Sequence, residues 1–194
     1  MNRRELLPSM AALTAMGLLG ACSKEPENPP PPPIDRSQAL QVLAAEGKGF
    51  SVGALMAANT AYVLFDPQCP HCAHLWQASQ PLLKQARFVW LPVSLLNAKS
   101  LPQGAAILSA ANPAEAMAAH EDSLMGGNGG ISASADVPAE LKAAIEHNTE
   151  LLTRLGGTGV PFVVAKDPQT GARVLDGAVG TPQLAAFVGL LPGN

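Results

Sequence analysis

Ala61-Tyr62-Val63-Leu64-Phe65-Asp66-Pro67-Gln68-Cys69-Pro70-His71-Cys72 decides the fold. Five apolar residues make a short run with strand composition, and Asp66-Pro67 breaks it. Cys69 and Cys72 then stand three residues apart where a helix begins. A helix N-terminus offers free backbone N–H groups and a partial positive charge, which stabilise a thiolate. Cys69 is therefore expected to ionise readily and attack, with Cys72 one turn on to close the Cys69–Cys72 disulfide. His71 is expected to hold the Cys69 thiolate by hydrogen bond or charge. Its replacement by Ala would then make the potential more negative by roughly 30–60 mV. Pro70 suits the first helical position.

Downstream the pattern alternates. Cys69 to about Ala86 reads as a helix with Leu75, Trp76, Ser79, Leu82 and Leu83 at helical spacing. Arg87 to Leu95 reads as a second central strand. Pro102 to Leu124 is Ala-rich and helical, broken at Asn112-Pro113. Met125 to Ala135 lacks the Lys-Ser/Thr ending of a phosphate loop, and its Gly126-Gly127-Asn128-Gly129-Gly130 reads as a flexible connector. Pro138 to Leu155 is a helix, Phe162–Ala165 and Arg173–Leu175 form a hairpin, and Thr181-Pro182 opens a last helix to Leu191. Upstream, Ser37 is expected to cap a helix that carries Leu40, Val42 and Leu43 and stops at Gly47. Phe50 to Met56 holds a short strand.

The composition bounds the function. The chain of 194 residues is 47% hydrophobic and 14% charged, with a formal charge of −3 and no Lys/Arg stripe, so nucleic acid is not an expected partner. The first residues read as a targeting segment, with Arg3 and Arg4 ahead of an apolar stretch from Met10 to Leu19 too short to span a membrane. Its end, Leu19-Gly20-Ala21-Cys22, resembles the bacterial lipobox. That resemblance implies a lipoprotein signal peptide over 1–21 and lipid on Cys22, and Ser23 is compatible with the outer membrane. A plain signal peptide cut after Ala21 would also explain the small residues. Residues 22–36, with Pro29 to Pro33, read as an extended Pro-rich tether and 37–194 as the folded domain. Of three Cys, lipidated Cys22 would leave Cys69 and Cys72 as the only thiols in an oxidising compartment. A disulfide closing so short a loop restrains the unfolded chain little, so the pair is better explained by chemistry than by stapling.

The order of strand, helix, strand, helical block, hairpin and helix resembles the thioredoxin fold with a helical insertion, about 101–155. Val63 to Cys72 and Phe88 to Leu95 resemble the DsbG/DsbC branch of bacterial periplasmic thiol:disulfide interchange proteins. Gly159-Val160-Pro161-Phe162 sits where that family has its cis-proline loop. The resemblance implies a thiol:disulfide oxidoreductase in the periplasm, with protein thiols and disulfides as substrates and a membrane partner recharging the pair. It further implies Val160 and Pro161 in substrate binding, and no cofactor. Two departures matter. That branch carries an N-terminal dimerisation domain, whereas only Asp35 to Thr60 precedes the resembling segment here, so a monomer is expected. The Pro70-His71 dipeptide and Val160 are DsbA-like, which points toward oxidation.

Two rival readings stay open. Cys69, Cys72 and His74, with His71, would serve a copper or zinc carrier, although zinc needs four donors in a structural site and His120 and His147 lie far along the sequence in the Ala-rich helices. A binding module that has lost turnover is the other. Asp66 reads as the start of a turn with Pro67, the alternative being that it eases proton transfer to Cys72.

Overall fold

The structure is a computed structural model in which residues 31–190 are described. The expected signal peptide, Cys22, the start of the Pro-rich tether and Leu191 lie outside them. The elements are α1 (Ala39–Glu46), β1 (Phe50–Gly53), β2 (Asn59–Phe65), α2 (Pro70–Ser79), β3 (Ala86–Pro92), α3 (Ser100–Ser109), α4 (Pro113–Met125), α5 (Ala139–Arg154), β4 (Phe162–Asp167), β5 (Gly171–Asp176) and α6 (Thr181–Phe187).

One five-stranded sheet runs β1-β3-β2-β4-β5, with β2 at its centre. β2 and β3 are parallel, joined through α2, with Phe65 opposite Pro92. The β1–β3, β2–β4 and β4–β5 pairs are antiparallel. Strand alternation splits the core in two. Ala61, Val63, Phe65, Phe88, Trp90, Val163 and Ala165 face one side, where they meet α2, α4 and α6. Tyr62, Leu64, Leu91, Phe162 and Val164 face the other, against α1 and α5. With aromatics at 4% of the chain, three large rings are concentrated behind α2: Trp90 packs edge-on against Trp76 at 5.1 Å and Phe65 at 5.6 Å. This is the thioredoxin-like architecture, and the insertion between β3 and β4 is α3 to α5. α3 packs on both α4 and α5, so the insertion wraps from one sheet face toward the other.

Several boundaries differ from expectation for identifiable reasons. Asp35, not Ser37, caps the first turn: its carboxylate accepts from the Ser37 N–H at 2.8 Å and the Ser37 hydroxyl at 2.7 Å. Folded chain begins earlier still, because Ile34 is buried and its N–H donates to Arg154 O at 2.8 Å. The helix expected to reach Ala86 ends at Ser79; a 3-10 turn over Gln80–Leu82, holding Pro81, ends it. The short strand expected within Phe50 to Met56 is β1, which stops at Gly53 (φ 100°). α6 ends at Phe187, where Gly189 adopts φ 81° and the Leu190 N–H turns back to Ala185 O.

Candidate active site

The site is built where β2 hands over to α2. Asp66, buried, is more than the start of a turn. Its Oδ1 accepts from the Gln68 N–H at 2.8 Å and the Ser100 hydroxyl at 2.7 Å, and its Oδ2 from the N–H groups of Leu95 (2.7 Å) and Leu96 (3.0 Å). Four donors from three segments make the Asp66 carboxyl the knot of the active-site turn. The Cys69 N–H donates to Asp66 O, and the N–H groups of Cys72 and Ala73 donate to Cys69 O. Cys69 is thus the N-cap residue of α2, in extended geometry, and Pro70 holds the first helical position.

The two thiols are free and differ sharply in environment. The Cys69 thiol is drawn down to about 6, chiefly by the hydrogen bond from the Cys72 thiol. Burial opposes this, and the backbone N–H groups of Cys72 and His71 and the His71 charge assist it. Burial pushes Cys72 well above the ordinary thiol range. Its hydrogen bond to Cys69 and the negative charges at Cys69 and Glu121 push the same way. One sulfur is arranged to be an anion and the other to stay protonated. Across the site the Val160–Pro161 peptide is cis, and Val160 O lies 3.5 Å from Cys69 Sγ.

His71 and His74 are exposed, with ring centroids 6.2 Å apart. The His71 ring makes no hydrogen bond to Cys69; it acts by charge, the smallest contribution to the thiol, whereas its backbone N–H contributes more. Among the described residues no three His, Cys, Asp or Glu side chains cluster as a metal site would need. His147 pairs with Glu46 at 3.3 Å, on α5 and α1, the other side of the sheet.

His120 is not remote from the site. Its Nε2 donates to Pro67 O, 2.6 Å away in the active-site turn, and its Nδ1 accepts from the Ile131 N–H at 3.2 Å. Both bonds require the neutral ring, and burial holds its pKa below the ordinary value. The glycine segment is likewise not a loose connector. Gly129 O accepts from Gln68 Nε2 at 3.0 Å and Gln103 Nε2 at 2.9 Å, and Gly130 O accepts from the Ser123 hydroxyl at 2.9 Å. Gly130 has φ 87°, and a Cβ there would collide with the His120 ring and Gln103. Gln68 Nε2 also donates to Gln103 Oε1 (2.6 Å), and Gln68 Oε1 accepts from Asn97 Nδ2 (3.2 Å). The insertion therefore forms one wall of the site, and a cleft lined by Lys99, Gln103, Asn128, Gly129 and Ile131 opens against it.

Sequence reasoning missed Gln68, Gln103, His120 and Glu121. For the last two a signal existed. Met117, His120, Glu121 and Leu124 recur at helical spacing, which puts a His and a Glu inside the apolar stripe of α4.

Comparison with known proteins agrees with this geometry. The DsbG thiol:disulfide interchange protein of Pseudomonas aeruginosa is 24% identical over 135 residues, 69% of this chain and 52% of that protein. DsbG of Escherichia coli is 29% identical over 123 residues, 62% of this chain and 48% of that protein. The catalytic domain of Proteus mirabilis ScsC superposes with TM-score 0.64 at 21% identity, covering 79% of this chain and 97% of that domain. This chain has the thioredoxin fold and is similar in sequence to thiol:disulfide interchange proteins. The α-DsbA2 thiol-disulfide exchange protein of Wolbachia pipientis shares the fold at TM-score 0.61 and 14% identity, covering 79% of this chain and 94% of its own. No protein-family model matches. The chain spans about half the length of the curated relatives it matches. Among the described residues, no helix is long and apolar enough to cross a membrane.

Proposed function

We propose that this protein is a thiol:disulfide oxidoreductase that exchanges disulfides with protein substrates through Cys69 and Cys72. The observation that carries this reading is the placement of the two sulfurs: Cys69 is the N-cap of α2 with Val160 O 3.5 Å from its Sγ, and Cys72 is buried one turn on, which holds Cys69 down to about 6 and pushes Cys72 up. Cys69 forms the mixed disulfide, and Cys72 resolves it by attacking Cys69 Sγ, its S–H proton passing to the substrate sulfur that leaves as the Cys69–substrate S–S bond breaks. An extended substrate beside Val160 meets a backbone carbonyl 3.5 Å from the reacting sulfur. His71 and Pro70 complete the helix start, and Pro161 the facing loop.

The protein works in the periplasm in this reading, held to a membrane by lipid on Cys22 through the Pro-rich tether, as a monomer recharged by a membrane redox partner. The lipobox-like Leu19-Gly20-Ala21-Cys22 supports the anchor. Catalysed reduction of insulin by dithiothreitol, or oxidation of a dithiol peptide, tests the chemistry; a rate equal to the uncatalysed one refutes it. Trapping the redox state of the pair in cells sets the direction: oxidised means an oxidase, reduced a reductase. Mass spectrometry of the mature N-terminus tests the anchor, which an unmodified Cys22 or Ser23 would eliminate.

A further inference from the structure

Behind the Cys pair lies a carboxylate that nothing above has used. Glu121 sits on α4, which packs directly against α2, and it is buried with neither carboxyl oxygen hydrogen-bonded among the described residues. Its neighbour His120 is bound to Pro67 O, which fixes the register of α4 against the active-site turn. An unpartnered buried carboxylate is costly, and a fold retains one only against some return.

The charged groups around it are few. From α2 it faces Cys69 and Cys72, whose charge it shares; on its own helix Asp122 acts on it. The other elements packed against α4, namely α3 (Ser100–Ser109) and β1 (Phe50–Gly53), bring no titratable side chain. No cation among these groups compensates Glu121. Two negative charges at once, on Cys69 and on Glu121, are therefore the arrangement this site resists most.

We propose that Glu121 is a redox-linked proton site: it holds the negative charge of the buried site while the pair is a disulfide, and takes up a proton when the pair is reduced and the charge moves to Cys69. The step balances. Disulfide, Glu121 carboxylate and a substrate dithiol give Cys69 thiolate, Cys72 thiol, Glu121 carboxylic acid and substrate disulfide. Two electrons pass to the Cys pair, its S–S bond breaks and the substrate's forms. The two protons of the dithiol end on Cys72 and Glu121. The site's net charge is unchanged, and no bulk proton is needed. Glu121 acts through the pair and is a positioning residue. The direction agrees with its titration. Burial, then the Cys69 charge, then Asp122 push Glu121 up to about 8 with the thiols present, and forming the disulfide removes the Cys69 contribution. The linkage therefore operates between the lower value Glu121 has beside the disulfide and about 8, and fades outside that window.

The proposal rests on thiol exchange at Cys69 but not on protein substrates, so small-molecule thiols test it. Equilibrium of the purified protein with reduced and oxidised glutathione, read from about pH 6.5 to 8, measures how many protons reduction takes up. Wild type taking up a second proton should show an equilibrium constant nearly flat with pH. Glu121→Gln, taking up one, should show a constant rising by up to about tenfold per pH unit. Equal slopes overturn the proposal. Should Glu121→Gln fail to fold, the wild type alone decides it. The infrared difference spectrum between reduced and oxidised protein at pH 7 should gain a protonated-carboxyl band on reduction, and no such band overturns the proposal. A wild type that shows the linkage yet fails in the insulin assay would refute the protein-substrate reading and leave this one standing.

Discussion

Two buried polar side chains, one on each side of the sheet, follow opposite rules. Asn148 on α5 is fully satisfied: its Oδ1 accepts from the Lys48 N–H at 2.9 Å, and its Nδ2 donates to Lys48 O at 2.7 Å and Pro92 O at 2.9 Å. It pins the insertion to the end of β3 and to the turn after α1. Glu121 on α4 is just as buried and has no such partner. The α5 side is organised for stability, with one satisfied amide among apolar contacts. The α2/α4 side gathers Asp66, His120, Glu121 and both sulfurs beneath the turn that carries the chemistry. Within this pair, the amide that closes its hydrogen bonds ties elements together, whereas the carboxylate that leaves them open lies beside the reactive sulfurs.

The contrast can be broken in order of effect. Cys69→Ser should abolish exchange, while Cys72→Ser should accumulate mixed disulfides visible on non-reducing gels. Faster iodoacetamide labelling of Cys72 than of Cys69 at mildly acidic pH would reverse the assignment. Asn148→Ala strands the Lys48 and Pro92 backbone groups and should cost about 2–4 kcal/mol in urea unfolding. Glu121→Gln should do the opposite. The folded-state value of Glu121 is raised to about 8, so its contribution is most favourable below the unfolded carboxylate range and is lost as pH rises toward 8. The reduced Gln variant should therefore gain on the order of 2 kcal/mol over wild type at pH 8, and little near pH 4. The smallest effect belongs to His71→Ala. With the ring acting by charge alone, the potential should fall by less than about 30 mV, below the range expected from the sequence.

The sheet and the cysteine pair were legible because both are local. An apolar run ended by Asp66-Pro67 and two Cys three apart require neighbours only within the same dozen residues. The site's inner wall was not legible, for a physical reason. The acceptors in the glycine segment are the backbone oxygens of Gly129 and Gly130, and the donors are Gln68, Gln103 and Ser123, up to 61 residues away. A glycine run carries no side-chain pattern to reveal such partners, and it reads as flexibility. His71, named from its place inside the pair, acts on Cys69 by charge, after the Cys72 thiol and the backbone N–H groups at the helix start. The end of α2 was misplaced because apolar spacing continued through Leu82 and Leu83 while Pro81 had already ended the helix.

The four-donor grip of Asp66 has a consequence for how the protein breathes. Gln68 and the adjacent pair Leu95 and Leu96 belong to separate segments, yet their amide protons lead to one carboxylate. Releasing any one segment leaves that carboxylate short of a donor inside the protein. Their hydrogen-exchange rates should therefore report one shared opening free energy rather than three local ones. The active-site turn, the segment after β3 and the head of α3 open as one cooperative unit, and the reactive sulfur rides on a platform that yields whole or not at all.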